Sequence, residues 1–197
     1  VPVNPNVMVV GVGIAGIEGN GQTDLVNIIT GLKNASTGST KLNGKDISRV
    51  SIRRKLEEGM GHIPEDRHKH GLVLDFNLAE NLILESYYLA PFQKYGLLQN
   101  NAMYENAEAL ISRFDIRSAA GAQSIARSMS GGNQQKAIIA REITRNPNFL
   151  IAVQPTRGLD IGAIEYIHAQ LLTHRDAGNA ILLVSLELEE TMDLADR

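Results

Sequence analysis

Two glycine-bearing runs carry residue types suited to holding phosphate. The first is Ser130-Gly131-Gly132-Asn133-Gln134-Gln135-Lys136, which leads into an Ala/Ile/Arg/Glu-rich stretch that reads as a helix. A helix start presents unpaired backbone N–H groups and the positive end of the helix dipole, and such an end binds phosphate. Ser130 is a good N-cap whose hydroxyl can also reach a phosphate oxygen, and the two glycines let a ligand approach the backbone. A plain capped helix start is the bland alternative. The second run, Gly16-Ile17-Glu18-Gly19-Asn20-Gly21-Gln22-Thr23, has the spacing of a phosphate-binding loop, GxxxxGK[ST], with Gln22 in the lysine position. Its amides are expected to cradle phosphates and Thr23 to offer a hydroxyl to Mg²⁺. The ammonium that meets the β- and γ-phosphates is missing. Gly11-Val12-Gly13-Ile14-Ala15-Gly16 also matches GxGxxG, but Gly19 and Gly21 would interrupt the helix that must follow it.

The elements that must position these runs follow from periodicity. Residues 7–12 are apolar and β-branched and predict a buried strand; glycines follow, then a helix over 21–30. Asn43-Gly44, within 41–47, is a strong tight-turn signal between short strands. Residues 52–58 read as helix and 60–63 as strand. From 64 to 147 helical patterns dominate, notably 79–86, 101–114 and 134–144, with no convincing strand. Beyond Pro147, 149–153 is a strand, 162–177 a helix, 180–185 a strand and 187–194 a helix. Strand–helix alternation at both ends implies an α/β fold with a mainly parallel sheet flanked by helices. The expectation is one domain over 1–197, with a core from 1–63 and 148–197 and an inserted helical subdomain over 64–147.

Composition narrows the function classes. The chain has 197 residues, 43% of them hydrophobic, enough for one sizeable core. A net charge of −3 gives no nucleic-acid footprint, and the absence of cysteine excludes disulfides and thiolate metal sites. No run reaches 18 uninterrupted apolar residues and the first residues lack a signal-peptide pattern, so the expectation is a chain soluble by itself that meets a membrane only through a partner.

GIAGIEGNGQ, HIPEDRHKHGLV, SMSGGNQQK and QPTRGLDIGA occur in this order along the chain. Together they resemble the ABC transporter ATPases, in the form of the second nucleotide-binding half of a tandem subunit serving ribose-, galactose- or nucleoside-type importers. The resemblance covers about residue 13 to residue 197 and implies a P-loop NTPase core. The GNGQ and QPTRGLD variants lean towards nucleosides, with simple sugars the alternative. Implied cofactors are ATP and Mg²⁺. Implied partners are a second nucleotide-binding domain in the same full-length polypeptide, transmembrane permease subunits and, indirectly, a substrate-binding protein. The implied location is the cytoplasmic face of the membrane.

Carried over position by position, the resemblance exposes losses. Val153 stands where an acid would order Mg²⁺, and Gln154 where a glutamate would polarise water. Leu186 stands where a histidine usually follows the next strand, and Glu65 where a glutamine usually senses the γ-phosphate. With Gln22, five positions that manage phosphate charge differ. The signature run is intact. In such ATPases ATP is sandwiched between the P-loop of one domain and the signature of the other, so Ser130, Gly131, Gly132, Asn133 and Gln134 are expected to serve a partner's nucleotide. Asp160 matches a loop at the dimer seam. The expectation is a half that hydrolyses little or nothing in its own groove and completes a working site elsewhere. A regulatory or interaction module using the fold without ATP chemistry is the alternative.

Several features keep two readings. Glu65-Asp66-Arg67-His68-Lys69-His70 is either a solvated loop or a hinge facing the permease. Tyr87, Tyr88, Phe92 and Tyr95 either pack within the helical part or dock on the permease. Arg157 reads as a structural salt bridge rather than a phosphate clamp. His62, His68 and His70 match no metal-binding helix face. The antiparallel strands and adenine-stacking aromatic expected before the loop are not found within residues 1–12, so the chain is expected to be an excerpt or to join residues across a gap between 3 and 13.

Overall fold

The computed structural model describes residues 11–17 and 19–196. In chain order the elements are β1 Gly11–Ala15, α1 Gln22–Thr30, β2 Lys41–Leu42, β3 Lys45–Asp46, α2 Ile52–Glu57, β4 Met60–Ile63, α3 Leu78–Leu82, β5 Gln93–Lys94, β6 Leu97–Leu98, α4 Asn100–Arg113, α5 Gly131–Thr144, β7 Phe149–Val153, α6 Ile161–Asp176, β8 Ala180–Ser185 and α7 Leu188–Leu194. A π-helical turn, Arg67–Gly71, follows β4. Contacts divide the chain into two units. One comprises Val1–Ile63, Asn146–Pro155 and His168–Arg197; the other comprises Pro64–Arg145 and Thr156–Ile167.

The first unit is built on a four-stranded sheet of order β1-β8-β7-β4, parallel throughout. Parallel sheets need cover on both faces, and the continuous apolar runs of β7 (FLIAV) and β8 (AILLVS) answer to that requirement. On one face Val26, Ile47, Met60, Ile151, Val153, Leu182 and Val184 form a buried cluster. Burying each such side chain stabilises the fold by about 1.5–3 kcal/mol. Register pairs Ala15 with Ser185 and Val153 with Val184, which aligns the carboxyl ends of β1, β8 and β7. The Asn43-Gly44 turn forms as its residues dictate, with both φ angles positive, and joins β2 to β3. β1 begins at Gly11 and runs on to Ala15; residues 7–10 of the expected strand lie outside the described residues. Gly11 and Gly13 are therefore strand residues. A Cβ on Gly13 would lie 2.3 Å from Thr191 Cγ2 of α7, so that glycine serves close packing rather than a nucleotide turn.

The second unit is mostly helical. Met103, Ala107 and Leu110 make the buried stripe of α4, continued by Phe114, and α5 buries Ile138 and Ile139. α3 opens with a reciprocal capping box: Glu80 N–H donates to Asn77 Oδ1 at 2.9 Å and Asn77 N–H donates to Glu80 Oε2 at 2.8 Å. α3 ends at Leu82, short of the expected 86. The expectation of no strand here is also corrected: β5 and β6 form a small hairpin through Tyr95-Gly96, both at positive φ. Tyr-Gly is an unusual turn pair and two-residue strands show no alternation, which is why the pattern hid it. Tyr95 is 92% exposed at the tip.

Two carboxylates and two guanidiniums meet inside this unit. Arg141 Nε donates to Glu142 Oε1 at 2.9 Å, Arg145 Nη1 lies 3.4 Å from Glu142 Oε2, and Arg145 also pairs with Glu85. Burial, then the Glu142 carboxylate, pushes the Glu85 carboxyl from its ordinary 4.5 up to about 7, against the pull of both arginines. A raised acid binds its proton more tightly when folded, so this stabilisation is complete below the unfolded pKa and disappears as pH rises through about 7. Urea unfolding should therefore show stability rising by about 1.4 kcal/mol from pH 8 to pH 6 through this group. Buried His174, whose pKa burial lowers, acts in the opposite sense at the acid end of that range. The difference between wild type and Glu85→Gln isolates the Glu85 contribution, and equal slopes would refute it.

Candidate functional site

The first unit carries the glycine loop between β1 and α1. Gly19 and Gly21 sit at φ 91° and 90°, a region L side chains avoid, and neither has another atom within 4 Å of where a Cβ would be. Gly21 is the N-cap of α1 and gives no side-chain cap, so the amides of the first turn remain open to an anion. Asn20 and Thr23 are exposed; Glu18 lies outside the described residues. The Gln22 side chain folds back over Gly16, where a Cβ would stand 2.1 Å from its terminal amide. In the amide orientation that satisfies both neighbours, Gln22 accepts from Gly16 N–H at 3.2 Å and donates to the Ile17 carbonyl at 3.3 Å.

Two strands end on the same edge of this sheet. Val153 is 5% exposed and belongs to the apolar cluster, so no oxygen ligand for a divalent cation stands there. Gln154 follows at φ 44°, its N–H donating to the Val184 carbonyl at 2.7 Å. A left-handed residue directly before a proline is doubly disfavoured, so the backbone turns sharply here at a cost. Leu186 is exposed beyond β8, a side chain with no donor or acceptor. The loop backbone thus offers bare amides with the Thr23 hydroxyl exposed beside them, and the neighbouring strand ends carry an apolar Val153, a neutral Gln154 and an apolar Leu186.

The second unit carries the serine–glycine turn. Ser130 is exposed and caps the 14-residue α5: its Oγ accepts from Asn133 Nδ2 at 2.9 Å and, more distantly, from Asn133 N–H at 3.5 Å. Asn133 Oδ1 in turn accepts from Arg117 N–H at 2.7 Å. Gly131 and Gly132 lie in the first turn with small, half-exposed surfaces. Gln134 is only 4% exposed, its Nε2 donating to the Ala126 carbonyl at 2.9 Å and its Oε1 meeting His68 Nε2 at 2.9 Å. Its amide is therefore committed within the protein. Lys136 Nζ donates to the carbonyl and carboxylate of Asp115 at 2.8 and 2.9 Å and lies over the Tyr166 ring; that lysine is the largest influence holding the Asp115 carboxyl below its usual range.

Asp160 caps α6, accepting from Ala163 N–H at 2.9 Å, and lies beside Gly132. Two helix starts thus converge on one patch. Glu65, two residues beyond β4 in the chain, pairs with Arg157 Nη1 at 2.7 Å, which makes Arg157 a salt-bridge residue. Arg67, visible in the sequence only as one charge among several, lies over Gly131 and donates through Nη1 to the Arg157 carbonyl at 3.2 Å. No linear signal marks a partnership across more than sixty residues, although glycine at 131 fits the close approach. Among the described residues no group of three metal-ligating side chains forms, and no helix is long and apolar enough to cross a membrane.

A family model described as ABC transporter matches residues 10–157. The chain is 55% identical over 186 residues to the guanosine import ATP-binding protein NupO of Bacillus subtilis (strain 168), covering 94% of this chain and 36% of that protein. It is equally identical over 186 residues to the nucleoside import ATP-binding protein NupA of Lactococcus lactis subsp. cremoris (strain MG1363), covering 94% and 37%. The chain thus spans little more than a third of the length of these relatives. Its fold is that of a solved dimeric bacterial ABC transporter cassette, with a TM-score of 0.77 at 21% identity, covering 93% of this chain and 78% of that one. With the glycine loop on a parallel sheet, the capped serine–glycine turn and a family match over three quarters of its length, this chain belongs to the ABC transporter family.

Proposed function

We propose that this chain is a nucleotide-binding half of an importer ATPase that completes a partner's ATP site while doing little chemistry in its own. The observation that supports the reading is an asymmetry of chemical equipment between its two phosphate-suited turns. In the glycine loop a neutral amide stands where a cation would face two phosphates. A unit charge about 4 Å away is worth about 4 kcal/mol at an effective dielectric of 20. Val153 supplies no Mg²⁺ ligand, Gln154 is no base near neutral pH, and Leu186 offers no hydrogen bond. Phosphoryl transfer rests almost wholly on positioning and charge stabilisation, so little turnover is expected from this groove.

The serine–glycine turn keeps everything an incoming triphosphate needs. Ser130 Oγ, the open amides of Gly131 and Gly132 and the dipole of α5 face outwards, with Asn133 holding the cap. ATP brings the reacting phosphate; this chain orients it and stabilises its charge. The partner that brings it is a second nucleotide-binding domain, most economically in the same polypeptide, since the relatives are far longer than this chain. Asp160, next to Gly132, belongs to the seam between the two. Transmembrane permease subunits at the cytoplasmic face of the membrane receive the motion, and the transported substrate is a nucleoside, as the names of NupO and NupA suggest.

The test is a P-loop variant in the full-length polypeptide. Gly21→Asp places a carboxylate in the cradle at a left-handed position and blocks phosphate there. ATP turnover of the assembled importer should stay within about threefold of wild type, because no preorganised group worth about 2.7–4 kcal/mol of barrier is being removed. A loss beyond about tenfold would place the chemistry in this groove and overturn the reading.

A further inference from the structure

The guanidinium of Arg67 has more donors than protein partners. A Cβ on Gly131 would lie 2.9 Å from its Nη2, so the group rests on the bare first turn of α5. Its Nη1 donates to the Arg157 carbonyl at 3.2 Å. Its Nε is shut off from solvent and finds no acceptor among the described residues. A guanidinium carries five donors in a rigid fork; Nε, closed to solvent, is out of a ligand's reach, whereas Nη2 adds its charge at the bare positive end of α5, an arrangement that an anion would relieve. Arg157, the other cation nearby, is already paired with Glu65.

We propose that Arg67 is a further anion-binding residue of the serine–glycine turn, its guanidinium meeting the terminal phosphate of the nucleotide that the partner domain presents. This deepens the function proposed above and rests on it. Arginine suits the task because its planar fork binds phosphate oxygens in pairs. Its place is set by two neighbouring acids. Asp66 caps the π turn, accepting from the His68 and Lys69 N–H groups at 2.9 and 3.0 Å, which fixes the backbone that carries Arg67. Glu65 holds Arg157, whose carbonyl anchors the guanidinium. Glu65, an acid where phosphate would be sensed, becomes a positioning residue. Gly131 without a side chain leaves the path from Nη2 to the first amide clear.

The terminal phosphate carries the most charge and is the one ADP lacks, so nucleotide discrimination reads out the contact. In the full-length polypeptide, equilibrium titration with a non-hydrolysable ATP analogue and with ADP should separate the two. Arg67→Met should weaken the analogue by about 10- to 100-fold, the span expected for lost hydrogen bonds to a charged group, and ADP by no more than about twofold. Arg67→Lys, which keeps charge but not the fork, should fall between, and it carries the same comparison if Arg67→Met does not fold. Unchanged analogue affinity, or equal losses for both nucleotides with a lowered melting temperature, would make Arg67 a mere brace and overturn the assignment. Gly131→Asp distinguishes the underlying reading: if it too leaves analogue binding intact, the turn serves no nucleotide at all. If Gly131→Asp abolishes binding while Arg67→Met does not, only the role of Arg67 fails.

Discussion

Replacing Gly131 with aspartate should, on the function proposed above, cut ATP turnover of the full-length polypeptide by about 100- to 1,000-fold, the range seen when one preorganised charge-stabilising donor is lost. The carboxylate would stand beside the open first-turn amides and within reach of Arg67, occupying the place of the incoming phosphate with a like charge. Folding should survive. The position has no positive φ, so an L residue fits the backbone. Glycine within a helix costs about 0.5–1 kcal/mol relative to alanine, and an acid in the first turn adds about 0.3–1 kcal/mol of favourable dipole interaction. A Cβ at 131 would stand 2.9 Å from Arg67 Nη2, so that flexible side chain must swing aside, and the variant should melt close to wild type while turning over almost nothing. Turnover within about threefold of wild type would show that the turn faces no reacting phosphate.

The second large effect is structural. Glu142 is fully buried and carries the negative charge that Arg141 and Arg145 both approach. Arg141 is itself buried and also donates to the Gly71 carbonyl at 2.8 Å, which ties α5 to the π turn. Glu142→Ala leaves that guanidinium buried with its carboxylate gone and should cost about 3–5 kcal/mol. Urea denaturation measures it as a lower midpoint at unchanged slope. A loss below about 1 kcal/mol would mean that water reaches Arg141 and that the cluster is not the anchor its burial implies.

Elements with strong local signals were legible in the sequence. The Asn43-Gly44 turn, the 3.6-residue stripes of α4 and α5 and the apolar runs of β7 and β8 each obey one rule that acts over few residues, and each formed where its residues pointed. The β5–β6 hairpin and the early end of α3 obey no such rule, because two-residue strands and single-turn helices are decided by tertiary packing. The site was half legible. Glycines and a capping serine announce a capped turn with bare amides, since their conformational and hydrogen-bonding roles are local. The pairing of Glu65 with Arg157, the resting place of Arg67 and the internal commitment of Gln134 join residues far apart in the chain, and no spacing rule reports such meetings. Gln134 illustrates the difference: by position it belongs to the turn, yet its amide is used up by Ala126 and His68.

The folded-back Gln22 has one more consequence. Its carboxamide already occupies the Gly16 N–H and the Ile17 carbonyl, so the loop houses a tethered surrogate for whatever would otherwise fill it. Any visitor must first evict that tenant, and because the rival is covalently attached, dilution never removes it. With each of the two hydrogen bonds worth about 1 kcal/mol net, the handicap is roughly 30-fold in apparent affinity. A loop with a resident lodger of this kind answers an incoming anion only after its own side chain has moved.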